Sequence, residues 1–294
     1  MKNSDLYGIF FNLKAGNSQA HQIADQVRDN LNANGINTKL LTASTPTRAE
    51  KLIMTMMPDL TGLIVIGGDG TLNLAVKAML KSKLKCPIGL IPAGTVNNFA
   101  TKWQLPTDVN SAVTNILKKQ VQPFSVGVIN GEQVLISSLT FGNLADLSNE
   151  VRQQDKQRFG KIVYVGAALN RIGKHKSYLI DYQIDDEPAI TLKTWFALLT
   201  MYSTVGGLKY SASAHNQMHL SILNNIHLKQ VTSFMYFALT GRLNNSKAIT
   251  YKQPTHLKLK SHDNTTVTTR IDGDPGVKLP IIIEYLPNYF EIFK

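Results

Sequence analysis

Apolar residues in the first 120 positions follow two alternating patterns. Short unbroken runs, Leu6-Tyr7-Gly8-Ile9-Phe10-Phe11, Leu63-Ile64-Val65-Ile66 and residues 88–91, have the length and composition of strands buried on both faces. Between the first two, Ile23, Val27 and Leu31 repeat at helical spacing, and Asn34-Gly35 marks the stop. Residues 38–41 read as another strand. Thr47-Arg48-Ala49-Glu50 has the form of a capping box and predicts the start of a second helix. A helix follows Leu63–Ile66 through about residue 80, and another lies near 108–118, begun by Asp108. Strands alternating with helices predict an α/β architecture with a doubly wound parallel sheet. Ligands of such sheets sit beyond the carboxyl ends of the strands. Asn12, Thr42, Asp69 and Pro92-Ala93-Gly94-Thr95 all follow strands, so they should share one rim.

After residue 123 the texture changes. Residues 126–129 and 134–137 flank Asn130-Gly131, which reads as a hairpin with a type I′ turn. Further short strands fall near 178–184, 189–200, 218–224, 255–260, 265–271 and 279–285. Asp185-Asp186-Glu187-Pro188 and Asn224-Asn225 look like turns between them, and one helical block covers 143–172. The expected division is an α/β domain over 1–123 and a mostly antiparallel, β-sandwich-like domain over 124–286, with the tail 287–294 returning to the first.

With 294 residues the chain is long enough for two cores, and 43% apolar content is ordinary for a folded protein. The net charge of +11 changes the picture, because it calls for an anionic partner: nucleic acid, a phosphorylated cofactor or an acidic membrane surface. No RNA-binding aromatic signature or zinc finger accompanies the charge, which argues against nucleic acid. Cys86 is the only cysteine, which excludes an intrachain disulfide and a cysteine-cluster metal site and suits a reducing cytoplasm. Its place beside Pro87, entering an apolar strand, predicts a buried structural thiol. The N-terminus does not resemble a signal peptide. The longest apolar segment, residues 195–205, is too short to span a bilayer and is interrupted by Thr200, Ser203 and Thr204.

The chemistry concentrates in Gly67-Gly68-Asp69-Gly70-Thr71-Leu72-Asn73, between a buried strand and a helix. Glycines let the backbone approach oxygen atoms closely, and the helix N-terminus presents unpaired N–H groups with partial positive charge. That combination holds phosphate. The Asp69 carboxylate would repel phosphate unless a divalent cation lies between them. Pro92-Ala93-Gly94-Thr95-Val96-Asn97-Asn98-Phe99-Ala100 repeats the arrangement after the next strand. Either turn alone could be an ordinary connection. Together, in consecutive units, they indicate a nucleotide site.

At this point the sequence resembles the bacterial lipid kinases of the diacylglycerol kinase catalytic-domain family, which includes sphingosine and ceramide kinases. The signature GGDGT followed by a PxGTxNDFA-like segment matches residues 67–71 and 92–100. An NPxSG-like first loop is partly kept as Asn12-Leu13-Lys14-Ala15-Gly16, and Thr42 matches a threonine after the second strand. Gly160-Lys161-Ile162-Val163-Tyr164, Gly206-Gly207 and Ile271-Asp272-Gly273-Asp274 match further motifs, the last with a shortened acid. The resemblance implies a nucleotide cleft between the two domains. It implies transfer of the γ-phosphoryl group of ATP, with Mg²⁺, to the hydroxyl of a diacylglycerol-like lipid, a step of phospholipid biosynthesis. Asn12, Lys14, Gly16, Thr42, Gly67, Gly68, Asp69, Gly70, Thr71, Leu72, Asn73, Gly94 and Thr95 would then contact nucleotide. Asp69 would hold Mg²⁺ through the phosphates, and Asp272 and Asp274 would supply the general base. The protein would act in the cytoplasm, touching the inner face of the membrane, and nothing in the pattern opposes a homodimer.

The departures leave alternatives open. Leu74 and Asn98 stand where the family carries acids, and Ala214-His215-Asn216-Gln217-Met218-His219 lacks the carboxylates of a structural Mg²⁺ site. A catalytically weakened nucleotide- or lipid-binding protein is one alternative, and NAD kinase, which shares the GGDGT turn, is another. His215 and His219 would suit one metal only on a helix; on a strand they stand about 13 Å apart. Residues 152–176 hold seven lysines or arginines against one acid, Asp155. They read as a solvated helix face or as an approach surface for anionic lipid headgroups.

Overall fold

The computed structural model describes residues 5–11, 19–94, 97–143, 145, 177–202, 204–205, 208–209, 217–224 and 249–294. The helical block expected over 143–172, the basic stretch 152–176 and His215 fall outside them, apart from residues 143 and 145.

The chain divides into two units: Met1–Val126, Glu132–Ile136 and Leu286–Lys294 form the first, Gly127–Gly131 and Ser137–Tyr285 the second. The first begins with β1 (Leu6–Phe11), α1 (Ala20–Ala33), β2 (Asn37–Leu41), α2 (Pro46–Met56), β3 (Gly62–Gly67), α3 (Asp69–Ser82), β4 (Ile88–Pro92), α4 (Asn98–Trp103) and α5 (Val109–Leu117). The parallel order is β2-β1-β3-β4. Alternate strand residues feed two cores, one on each face of the sheet. Phe10, Val65 and Leu90 pack with Ile53 of α2 and Leu72, Val76 and Met79 of α3. Ile9, Ile64 and Ile91 pack with Val27 and Leu31 of α1 and Val113 and Ile116 of α5. Each large apolar side chain so buried contributes about 1.5–3 kcal/mol, and this double covering makes the strands read as continuous apolar runs.

Two local expectations change. The cap of α2 is Thr45, whose hydroxyl accepts the Arg48 N–H at 3.3 Å, with Pro46 at the first helical position; Thr47 lies inside the helix. Helix α4, six residues long, has no counterpart in the sequence reading. Asp108 caps α5 as expected, accepting the Ser111 N–H at 2.9 Å.

The strands β5 (Val121–Ile129) and β6 (Gln133–Leu135) flank a turn in which Asn130 and Gly131 both have positive φ. The second unit then contains β7 (Ser138–Gly142), β8 (Tyr178–Ile184), β9 (Ile190–Thr194), β10 (Phe196–Thr200), β11 (Thr204–Val205), β12 (Leu208–Lys209), β13 (His219–Leu223), β14 (Ile249–Lys252), β15 (His256–Ser261), β16 (Thr268–Ile271) and β17 (Asp274–Lys278). It also takes in the start of β18 (Ile281–Phe293). Strands β9, β8, β15 and the start of β18 pair antiparallel in that order. A six-stranded sheet runs β14-β13-β10-β7-β16-β17, and β11 pairs with β12. The architecture is thus a parallel sheet with helices, followed by mostly antiparallel sheets. The end of β18 belongs to the first unit, where Phe290 and Ile292 are buried in the core and Ile292 stands beside Ile88 in parallel register. Among the described residues, no helix is long and apolar enough to cross a membrane.

Candidate functional site

The carboxyl ends of β3 and β4 carry the two glycine loops. Gly67 has φ +159, and a Cβ there would lie 2.4 Å from Thr71 Oγ1, so Thr71 fills the space a side chain would need. One residue on, the loops touch backbone to backbone: a Cβ on Gly94 would stand 2.5 Å from the Gly68 Cα. The β3–β4 ladder continues into this contact, with Ala93 N–H donating to Gly67 O at 3.1 Å. Only glycine permits that approach.

Asp69 closes the arrangement. Its Oδ2 accepts the Asn98 N–H at 2.9 Å and its Oδ1 the Phe99 N–H at 3.0 Å. The first-turn acid of α3 therefore caps α4, whose opening amides have no partner within their own helix. Asn97, at φ 52, completes the second loop by reading one peptide twice: its Oδ1 accepts Gly94 N–H at 3.1 Å and its Nδ2 donates to Gly94 O at 2.8 Å. Both oxygens of Asp69 thus serve backbone amides. The expected role of Asp69 beside a cation and phosphate is joined here by a structural one, the joining of the two loops.

The remaining expected contacts divide. Gly70 is exposed on the first turn of α3, and Thr42 is exposed after β2. Leu72 is fully buried in the core and its amide donates to Gly68 O. Thr71 is buried, its amide also on Gly68 O. Asn73 Nδ2 donates to Val134 O at 2.7 Å, which ties α3 to β6. Leu74, where the family carries an acid, packs against the same core. Asn12, Lys14, Gly16 and Thr95 lie outside the described residues.

The acid pair sits in the second unit, on the hairpin of β16 and β17. Asp272 and Gly273 have φ +52 and +94, the conformation of a two-residue type I′ turn. Asp272 Oδ1 accepts the Ser137 and Ser138 N–H groups at 2.7 and 3.0 Å, and its own N–H donates to Ser138 O at 2.7 Å. One oxygen of Asp272 is therefore committed to fixing the start of β7. Asp274 opens β17 opposite Ile271 and is exposed.

Asn97 and the serine pair were missed as site-forming residues. The Gly94-x-x-Asn97 spacing carried the one available signal, because asparagine is the residue that both adopts positive φ and bonds a nearby backbone. Among the described residues, no group of three or more His, Cys, Asp or Glu side chains could hold a metal ion. His219 is buried on β13, with Nδ1 2.6 Å from Tyr251 OH.

Comparison with known proteins meets this geometry. Residues 7–129 match the family described as diacylglycerol kinase catalytic domain. A diacylglycerol kinase of Staphylococcus saprophyticus is 27% identical over 79% of this chain and 76% of its own. A candidate lipid kinase of Staphylococcus epidermidis is 26% identical over 80% of this chain and 76% of its own. Among solved structures, a Bacillus anthracis protein superposes with TM-score 0.81 at 18% identity, covering 100% of this chain and 96% of that one. A diacylglycerol kinase of the same organism gives TM-score 0.73 at 17% identity, covering 100% and 97%. The fold is shared with these structures. The chain is similar to these kinases, and its two glycine loops lie within the matched residues.

Proposed function

We propose that this relative of the diacylglycerol kinase catalytic-domain family transfers the γ-phosphoryl group of Mg-ATP to the hydroxyl of a diacylglycerol-like lipid. The observation that carries the reading is the clamp between the glycine loops. Asp69 holds the Asn98 and Phe99 amides while Gly68 and Gly94 meet without side chains between them. Phosphoryl transfer depends on alignment and on neutralising phosphate charge more than on covalent chemistry. The double loop at the start of α3 supplies the alignment. Mg²⁺ would be held through the phosphates beside Asp69, the acid of the two loops, and would shield the phosphate charge.

The acceptor hydroxyl needs a base. Asp274 is the exposed carboxylate of the turn and takes the proton in this scheme, while Asp272, through Ser137 and Ser138, fixes where Asp274 stands. The chain's net positive charge favours approach to an anionic membrane surface. Incubating the protein with labelled ATP and either diacylglycerol in mixed micelles or NAD tests the reading. Label entering the lipid supports it, and label entering NAD alone overturns it.

A further inference from the structure

The six-stranded sheet of the second unit has two faces of different character. One carries Phe141, Leu199, Leu220 and Ile222, all buried and apolar. Strand register puts Ser138, Thr200, His219, Ser221 and Tyr251 on the other. This second face also carries Leu198 and Leu223, and its polar groups are covered: Thr200, His219 and Ser221 are 1%, 2% and 0% exposed. Burying such groups is costly unless each finds a partner. Thr200 Oγ1 donates to Tyr202 O at 2.7 Å, and His219 Nδ1 lies 2.6 Å from Tyr251 OH. Ser221 Oγ has no hydrogen-bond partner among the described residues.

We propose that Ser221 and the His219–Tyr251 pair form the subsite for the ester oxygens of the acceptor lipid, an inference that rests on the lipid-kinase reading above. Ser221 lies between Leu198 and Tyr251 in the register. A hydroxyl donor with an unmet bond, bordered by an aliphatic and an aromatic side chain, matches an acyl ester carbonyl at the root of an apolar chain. Neither register neighbour of Ser221 is positively charged, which disfavours phosphate. The polar row Ser138, Thr200, His219 also starts at the acid-bearing turn, because Ser138 O accepts the Asp272 N–H. The subsite thus lies on the sheet that carries the acids.

Titration calorimetry with 1,2-dioctanoylglycerol, beside turnover with the same lipid and ATP, tests this on wild type and Ser221→Ala. Removing an unpaired buried hydroxyl should leave Tm unchanged or raise it. Lipid affinity should fall about five- to tenfold, the worth of one hydrogen bond, with KM for the lipid rising in step and KM for ATP unchanged. Ser221→Cys keeps the shape, weakens the donor and should fall between the two. A wild type that phosphorylates the lipid while both variants bind it equally well overturns this inference alone, and would leave Ser221 facing an internal water. A wild type that neither binds nor phosphorylates the lipid overturns the kinase reading with it.

Discussion

The carboxylate of Asp69 accepts the backbone N–H of Phe99 at 3.0 Å, across 30 positions of sequence. With the parallel bond to Asn98 it makes one rigid body of two loops that glycines alone would leave loose.

Asp69→Ala removes that cap. We expect a loss of about 1 kcal/mol of stability, typical of a deleted cap, with a larger loss of ATP affinity. The loss should be the same with Mg²⁺ or with EDTA, because loop geometry is what fails. Nucleotide titration under both conditions checks this; weakening confined to the Mg²⁺ arm would make Asp69 a metal ligand first.

Gly94→Ala puts a methyl group 2.5 Å from the Gly68 Cα, where only backbone can yield. The overpacking should cost about 1–3 kcal/mol. ATP binding should drop at least tenfold while far-ultraviolet circular dichroism stays native. Unaltered ATP binding would mean the two loops need not touch.

Asp272 and Asp274 separate by substitution. Asp272→Asn retains an oxygen for the Ser137 and Ser138 amides, whereas Asp272→Ala leaves both unpaired and should lower Tm. Asp274→Asn should leave Tm unchanged and cut turnover by about two to four orders of magnitude, the range for a lost general base. Full activity in Asp274→Asn removes it from the mechanism.

Asp185 predicts an acid-sensitive anchor. Desolvation pushes its carboxyl up, but the Thr255 hydroxyl and the His256 and Thr255 amides, at 2.7–2.9 Å from Oδ1, outweigh it and hold the group below the ordinary aspartate value. The ionised form is the one the fold prefers. Its contribution is complete above about pH 4, the unfolded range, and is lost as pH falls through the lower folded value. Asp185→Ala should destabilise by about 1–3 kcal/mol at pH 7 and flatten the stability profile below pH 4 in urea titrations.

Cys86 is 7% exposed, and burial pushes its thiol up to about 12. The thiolate is the reactive form, so native protein should resist a disulfide reagent at pH 8 and react one-to-one only when unfolded. Rapid native labelling would contradict the packing around β4.

Much of this fold was legible because burial on both faces leaves plain marks, as in Leu63-Ile64-Val65-Ile66 and the Ile23-Val27-Leu31 spacing. Helix α4 was not, since six residues are too few for a period to register. The cap of α2 was displaced to Thr45 because Pro46 fits the first helical turn, which leaves the Thr47–Glu50 spacing inside the helix. Among the candidate site residues, the motifs marked the loops but not the backbone bonds that their side chains make. Asp69 acts on amides 29 and 30 positions away, and Asp272 on amides 134 and 135 positions away. Nothing local distinguishes a carboxylate waiting for a ligand from one occupied by remote backbone.

Strand β18 begins in the second unit and ends in the first, where Phe290 and Ile292 are sealed into the core. A fragment stopping at Val126 would therefore carry both glycine loops and still lack a wall of its interior. Recombination with a distant cousin through one crossover would meet the same fault, leaving each chimera with a mismatched final strand. The halves of this protein can be exchanged only by taking the head and the tail together.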